Sequence, residues 1–169
     1  MKKTLLSFIL SLFSMLGFGQ AISIGDILCT DGSIVSRASF PSSGKTAQGI
    51  VFYVDATDTH GWAVALNNQS SSIKWCSEGQ YGFDIPDLPN FANARAVMHD
   101  LDGYGHTGVI RRQGDGTQYP AAWAVDYDNG WYLPSGGQLR YLYSYMPEIN
   151  ASLQIVGGTL FPMSENHYW

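Results

Sequence analysis

The most informative segment of the chain covers residues 126–145 and reads D-Y-D-N-G-W-Y-L-P-S-G-G-Q-L-R-Y-L-Y-S-Y. Its first five residues, D-Y-D-N-G, are typical of a turn, because Asn and Gly tolerate the left-handed backbone that a tight turn requires. The next three residues, W-Y-L, predict a short strand that ends at Pro134. Ser135 then occupies the position of a helix N-cap, and Gln138, three residues later, completes a capping box.

A helix is expected to follow this cap, because apolar residues recur at helical spacing and indicate a face that packs on a core. The residues of this face are Leu139, Leu142, Tyr143 and Met146. Pro147 is suited to the first turn of a second helix, and Gly157 is suited to its end. Residues 126–157 therefore predict a turn, a short strand and two consecutive helices.

The strongest strand pattern lies upstream, where residues 49–55 read G-I-V-F-Y-V-D and residues 62–66 read W-A-V-A-L. Because β-branched and aromatic residues favour strands, the two segments predict an antiparallel hairpin. A smaller hairpin, or a strand with a hooked end, is expected around a turn at Gly32, and residues 73–76 predict a further short strand.

The region between these strands and residues 126–145 is divided into a predicted helix and a predicted loop. Residues 90–103 carry apolar positions three and four apart, which predict the helix, and residues 104–120 are rich in glycine and predict the loop. Together the elements predict an α+β fold with a small twisted antiparallel sheet, two or three helices and long loops. They do not show the strand–helix alternation of a parallel sheet.

The first 19 residues have the pattern of a signal peptide. Lysines at positions 2 and 3 precede an apolar run over residues 4–16, and small residues stand before an expected cleavage at Gln20. The apolar run is too short to cross a bilayer comfortably, so no transmembrane segment is expected after cleavage. Residues 20–169 are expected to form one domain that is exported to the periplasm, the cell surface or the medium.

The charge of the chain is acidic. The formal net charge of −5 becomes about −7 when Lys2 and Lys3 are removed with the signal peptide. Between Glu78 and Asp128 the sequence has eight acidic residues and only three arginines. Nucleic-acid binding needs cationic groups that displace counterions from phosphates, so nucleic acid is not expected as a partner.

The sequence contains two cysteines, Cys29 and Cys76. An exported protein can form disulfides, and a bridge between them would close a loop of about 48 residues and stabilise the fold by roughly 3–4 kcal/mol. Two buried free thiols, which pack as small hydrophobic groups, are the alternative. The spacing leaves both open, and it does not match a redox or zinc motif.

Three phrases resemble a known family: the strand pair in residues 49–66, the phrase G-W-Y-L-P-S-x-x-Q-L-x-x-L in residues 130–142, and the closing Tyr168-Trp169. They are similar to the Lcl C-terminal domain and the related Fibrobacter major-paralogue domain of exported bacterial proteins. The resemblance implies a C-type-lectin-like fold, akin to that of formylglycine-generating enzymes, and a surface or secreted binding domain. In that family the last phrase continues into further strands, so we expect the domain to be incomplete at its C-terminal end. The resemblance supplies no catalytic residue.

The aromatic residues are the main candidates for binding a ligand. The chain has five tryptophans and ten tyrosines, and aromatic rings can stack on the apolar faces of sugars while carboxylates and amides bind the hydroxyls. The candidate ligand-binding group is Tyr104, Trp123, Asp126, Asp128 and Asn129.

Metal binding has weaker candidates. Asp100 and Asp102 could offer oxygens to calcium, but the spacing does not match an EF-hand, and Asp is also common in turns. No other cofactor is predicted. Four histidines are interpreted as solvated or capping residues because they are scattered: His60, His99, His106 and His167.

These observations predict an exported, non-catalytic surface adhesion or ligand-binding module that recognises a glycan or an extracellular matrix protein. A pilus or surface-assembly subunit is the second hypothesis, because a donated terminal strand could complete a sheet. An enzyme related to formylglycine-generating enzymes is the third.

Overall fold

The computed structural model describes residues 10–14, 21–57, 60–69 and 72–162. It contains both helices and strands, as the α+β prediction requires. The strands are β1 (Leu10–Ser14), β2 (Ile27–Cys29), β3 (Ile34–Val35), β4 (Ala47–Val54), β5 (His60–Ala65) and β6 (Trp131–Tyr132), and the α-helices are α1 (Ala94–Val97), α2 (Gly103–Gln113), α3 (Pro120–Trp123), α4 (Gly136–Ser144) and α5 (Met146–Val156).

The chain divides into two units. The first is built on Asn68–Arg140 and is called the helical unit below. The second combines Ser11–Asn67 with Tyr141–Glu165 and is called the sheet unit.

The sheet unit contains a four-stranded antiparallel sheet with the order β3-β2-β4-β5, and β1 lies beside β5. The predicted hairpin between β4 and β5 is confirmed, with Ile50 opposite Val64. The register shifts between Val51 and Tyr53. Ile50, Phe52 and Val64 are fully buried, so this hairpin supplies the centre of the core.

The smaller predicted hairpin is also confirmed. β2 pairs antiparallel with β3, Leu28 lies opposite Ile34, and Gly32 in the turn has a φ of 79°. Such a positive φ strains any residue with a Cβ, which explains the glycine.

Helix α5 covers the sheet unit on β4, as its amphipathic sequence predicts. Ile149 and Leu153 are fully buried, and a proline occupies the first turn. Gly157 ends the helix with a φ of 74°, and the amide of Gly158 donates to the carbonyl of Leu153 at 2.8 Å. This is the glycine-terminated helix that the sequence predicts.

The helix predicted over residues 90–103 is wrong, because only the single turn of α1 forms there. The long helix of this region is α2, which runs through the segment predicted as a loop. The carboxylate of Asp102 caps α2 by accepting a hydrogen bond from the amide of Gly105 at 2.8 Å. Glycines in α2 meet close neighbours: a Cβ on Gly108 would lie 2.5 Å from the hydroxyl of Tyr127.

The strand predicted over residues 73–76 is reduced to a single bridging residue, Ile73. The possible disulfide is not formed, since Cys29 and Cys76 are both free and buried. Cys29 lies fully buried on β2, and Cys76 packs in the core of the helical unit. Each thiol therefore packs as a small hydrophobic group.

Several predictions lie wholly or partly outside the described residues. They are most of the signal peptide with its cleavage site, the closing Tyr168-Trp169 and His167. The single domain over residues 20–169 stays a prediction. Within the described ranges, no helix combines the length and the apolar character needed to cross a membrane.

Candidate functional site

A cavity of about 170 Å³ opens in the helical unit and is called the Trp75 pocket below. Its apolar wall is formed by Trp75, Leu88, Phe91, Ile110 and Leu133. The side chains of Trp75 and Phe91 are 41% and 39% exposed. Large aromatic side chains are usually buried, so two half-exposed rings that line one cavity indicate a surface that can receive a ligand.

A small core holds the loop that carries Trp75 against helix α2. Cys76, directly after Trp75, packs in one buried cluster with Ile85, Ile110 and Tyr119. The amide of Ser77 also donates to the carbonyl of Gln118 at 2.8 Å. The aromatic wall of the pocket is therefore supported from behind by packed side chains, although the loop itself has little regular structure.

Two hydroxyl groups at the pocket are already used by the fold. Thr107 is fully buried, donates to the carbonyl of Gly103 at 2.8 Å and accepts from the amide of Leu133 at 3.0 Å. The hydroxyl of Ser135 donates to the carbonyl of Asp100 at 2.6 Å. These contacts fix the segment after β6 against the start of α2.

His106 is the third polar side chain at the pocket. Its Nδ1 lies 3.3 Å from Oδ2 of Asp100, and the two side chains are 21% and 10% exposed. The other oxygen of Asp100 accepts a hydrogen bond from the amide of Asp102 at 3.1 Å. The carboxylate of Asp100 thus lies between the backbone and the imidazole of His106.

Tyr104 and Trp123, the two aromatic members of the predicted ligand-binding group, are connected through the side chains of Tyr127 and Arg111. The ring of Tyr104 stacks on Tyr127, with 4.6 Å between centres. The guanidinium carbon of Arg111 lies 4.1 Å from the ring centre of Trp123 and 5.3 Å from that of Tyr127. The indole NH of Trp123 donates to the carbonyl of Gly114 at 2.8 Å. These rings form a stack, called the Arg111 stack below, in which protein groups already contact the aromatic faces.

The pKa of Tyr127 is raised to about 12. Burial of its hydroxyl is the main cause, and its contact with Tyr104 is the second. Like any tyrosine, this phenol is protonated at neutral pH, and the raised pKa means that it stays a hydrogen-bond donor in more alkaline solution as well. It donates to the carbonyl of Tyr104 at 3.3 Å, which ties the Arg111 stack to the first turn of α2.

The polar members of the predicted group lie in the turn that follows. The carboxylate of Asp126 accepts a hydrogen bond of 2.9 Å from the side-chain amide of Asn129. Asp126, Asp128 and Asn129 are all exposed. Gly130 has a φ of 83° at the end of this turn, as D-N-G predicts. Their role in ligand binding stays a prediction.

The calcium candidates Asp100 and Asp102 both use their carboxylates within the fold. Asp102 caps α2 and Asp100 contacts His106. In the part of the chain that the structure describes, no three His, Cys, Asp or Glu side chains group as metal ligands would. Calcium binding stays a hypothesis.

Sequence reasoning misses Trp75, Phe91 and His106 as parts of one site. It places Trp75 in a strand and Phe91 on a helix face, and it interprets His106 as a solvated or capping residue. One local signal exists: Asp102 is a good N-cap, and a helix that begins after it brings His106 back towards Asp100. The aromatic wall has no such signal, because it depends on the packing of Cys76 and Ile85.

Comparison of the chain with protein-family models, with curated proteins and with solved structures finds no match. The resemblance to the Lcl C-terminal domain therefore stays a hypothesis, and it rests on the phrases in residues 49–66 and 130–142 and on the closing Tyr168-Trp169.

Proposed function

We propose that the chain is an exported, non-catalytic binding module with C-type-lectin-like architecture, which holds a glycan by one sugar ring in the Trp75 pocket. The observation that carries the proposal is the pair of half-exposed rings, Trp75 and Phe91, on a cavity of about 170 Å³. Sites for drug-sized ligands measure about 300–1,000 Å³, so this cavity is suited to a single ring. Aromatic walls with few polar groups match a sugar, which has one apolar face and hydroxyls at its edge.

Two contacts favour binding over catalysis. A nucleophilic serine needs a base that accepts its proton, and Ser135 donates instead to a main-chain carbonyl. The thiol of Cys76 is buried in a hydrophobic cluster, where it packs as a small hydrophobic group. The burial of Cys76 counts against the enzyme hypothesis in so far as that hypothesis rests on cysteine chemistry, and the contact of Ser135 counts against a serine nucleophile.

The proposal is tested by screening the purified protein on arrays of glycans and extracellular matrix proteins, with calcium and with chelator. A glycan found in this way is then titrated against the isotope-labelled protein by NMR. We expect Trp75→Ala to weaken binding by about fivefold to tenfold, because one stacking face worth about 1–1.5 kcal/mol is removed.

The matched control is Tyr81→Ala, since Tyr81 is an aromatic residue of the same unit, is 82% exposed and does not line the pocket. It should bind as the wild type does. Binding that is lost in Tyr81→Ala but kept in Trp75→Ala would contradict the assignment of the pocket. If glycan binding is lost when a chelator removes calcium, the result would support the calcium hypothesis.

We propose a surface-assembly subunit as the second candidate, because β1 lies beside β5 and falls inside the predicted signal peptide. Removal of that peptide would open the edge of β5 to a strand from another subunit. A protein that begins at Gln20 should then bind the peptide L-S-L-F-S and melt at a higher temperature with it. A scrambled peptide should leave the melting temperature unchanged, and equal effects of the two peptides would refute this candidate.

A further inference from the structure

We propose that residues 78–87, called the Tyr81 loop below, form a docking surface for a basic, arginine-bearing segment of a partner protein. The loop belongs to the helical unit, and its residues are not among those that line the Trp75 pocket. This docking surface is therefore separate from the proposed glycan site, and it does not depend on that site binding a sugar.

Two aromatic rings of the loop are unusually exposed. Tyr81 and Phe83 are 82% and 71% exposed, whereas the next most exposed large apolar residue in the described part of the chain, Leu160, reaches 50%. Gly82, between the two rings, has a φ of 85°, so the backbone turns there. Exposed apolar surface of this kind is typical of interaction sites, and aromatic residues are enriched at protein interfaces. The two rings therefore indicate a surface that a partner covers.

Contacts on both sides of the rings hold the loop in place. Before the rings, the amide of Gln80 donates to the carbonyl of Ser77 at 3.0 Å, and the hydroxyl of Tyr119 donates to the side chain of Gln80 at 3.4 Å. After the rings, Ile85 is buried and packs in one cluster with Cys76 and Tyr119. A loop that is held at both ends loses little conformational entropy when a partner binds. Its rings are therefore presented in a form that is ready for binding.

The charge around the rings favours a cationic partner. The loop contains three acidic residues, all exposed, and no lysine or arginine: Glu78, Asp84 and Asp87. Lys74 lies 3.3 Å from Glu78, and within the described ranges no ion pair joins a cation to Asp84 or Asp87. The faces of aromatic rings attract cations, arginine most often, and carboxylates pair with the same guanidinium group. An arginine side chain therefore satisfies the rings and the carboxylates together.

The same charge disfavours other partners that could cover the rings. A membrane with anionic headgroups would be repelled by the carboxylates of Asp84 and Asp87. A second copy of the chain has a formal net charge of −5, so it is repelled as well. A basic segment of a different protein is the occupant that this surface fits.

The experiment uses three blocked heptapeptides that differ only in charge: R-L-G-R-L-G-R, Q-L-G-Q-L-G-Q and E-L-G-E-L-G-E. Each is titrated at low salt against the isotope-labelled full chain, and dissociation constants are obtained from the amide shifts of residues 78–87. We expect the arginine peptide to bind about fivefold more tightly than the glutamine peptide, which is the range of one exposed cation–π contact. The glutamate peptide should bind most weakly, and added salt should reduce the differences.

Variants of the loop test the rings and the charge separately. Tyr81→Ala and Phe83→Ala should each weaken the arginine peptide by about twofold to fivefold, because one ring face is removed. Asp87 has a φ of 68°, a backbone that Asn adopts as readily as Asp, so Asp87→Asn removes the charge alone and should lower both the affinity and its salt dependence. The control Glu148→Gln removes an exposed carboxylate of the sheet unit and should change neither.

Equal binding of the arginine and glutamine peptides, or binding that is unchanged in both Tyr81→Ala and Phe83→Ala, would overturn the docking surface. Vesicles of phosphatidylcholine and phosphatidylserine test the lipid alternative, and loss of the loop amide signals with vesicles but not with peptide would also overturn it. Trp75→Ala separates the two sites: it should weaken a glycan and leave the arginine peptide unaffected. A protein that binds the peptide but no glycan keeps the docking surface and refutes the glycan site, and the reverse result refutes the docking surface alone.

Discussion

The hydroxyl of Ser135 donates a hydrogen bond of 2.6 Å to the main-chain carbonyl of Asp100. The amide of Gly137 donates to the same carbonyl at 2.9 Å, while the side chain of Asp100 contacts His106 in the Trp75 pocket. One residue thus joins the start of helix α4 to the candidate site. The phrase L-P-S-G-G-Q, which predicts a capped helix, therefore also fixes the residue whose side chain contacts the pocket histidine.

Ser135→Ala is expected to destabilise the protein by about 1–2 kcal/mol, because a buried hydroxyl loses its bond to the Asp100 carbonyl. Urea unfolding measures this cost. Ser77→Ala is the control, since Ser77 caps a short helix of the same unit without a side-chain hydrogen bond, and it should change the stability by less than about 0.5 kcal/mol. Equal stability of Ser135→Ala and the wild type would show that the bond does not hold the two segments together.

Gly137→Ala should destabilise the protein although alanine is the better helix former. A Cβ at this position would collide with the carbonyl of Asp100 and lie 2.9 Å from a methyl group of Leu101. Such overpacking costs about 1–3 kcal/mol. Gly79→Ala is the matched control, because a Cβ on Gly79 would meet no atom within 4 Å. Thermal unfolding should separate the two variants, and equal melting temperatures would refute the close packing.

The parts of the fold that the sequence predicts correctly are those whose signals are local. The left-handed Gly130, the Gln138 half of the capping box and the glycine end of α5 each depend on residues within a few positions. The hairpin of β4 and β5 is likewise defined by two adjacent apolar segments. Each of these elements is recognisable before any tertiary contact is known.

The misassigned parts depend on contacts between distant residues. Gly108 suggests a loop in the sequence, whereas in α2 it leaves room for the hydroxyl of Tyr127. The same limit applies to the candidate site, because Trp75 becomes a pocket wall only through the packing of its neighbour Cys76 with Ile110. The predicted group around Trp123 rests on composition, which cannot tell that Arg111 covers that ring.

The sheet unit should show a pH-dependent stability that comes from Asp26. Burial raises the pKa of this carboxyl, against the opposing effects of the Ser23 amide and Arg37. A folded pKa above the unfolded value of about 3.9 means that the carboxyl contributes stability at low pH, which is lost as the pH rises through the folded pKa. Asp26→Asn cannot titrate, so its stability relative to the wild type should increase from about pH 4 to neutral pH.

Asp31 provides the opposite case in the same unit. Its hydrogen bonds, first with Lys45 and then with Ser33, hold the pKa of its carboxyl well below the usual range. The ionised carboxylate of Asp31 stabilises the folded protein above the unfolded pKa, and this stabilisation is lost as the pH falls. Asp31→Asn should therefore be less stable than the wild type at neutral pH, and the difference should shrink in acid. Urea unfolding at a series of pH values measures both variants, and slopes of the same sign for Asp26→Asn and Asp31→Asn would contradict the assignments.

The Arg111 stack should act on stability and leave ligand binding in the Trp75 pocket intact. Arg111 lies over the ring of Trp123 at 4.1 Å and donates to the carbonyl of Ala122, so it ties α2 to α3. Arg111→Lys keeps the charge but removes the planar group, and it should destabilise the protein by about 0.5–1 kcal/mol with a change in tryptophan fluorescence. Arg112→Lys, on the next residue of the same helix, is the control. If Trp123→Ala instead abolishes glycan binding in a protein that stays folded, while Trp75→Ala has no effect, the exposed face of Trp123 is the binding surface and the pocket is not.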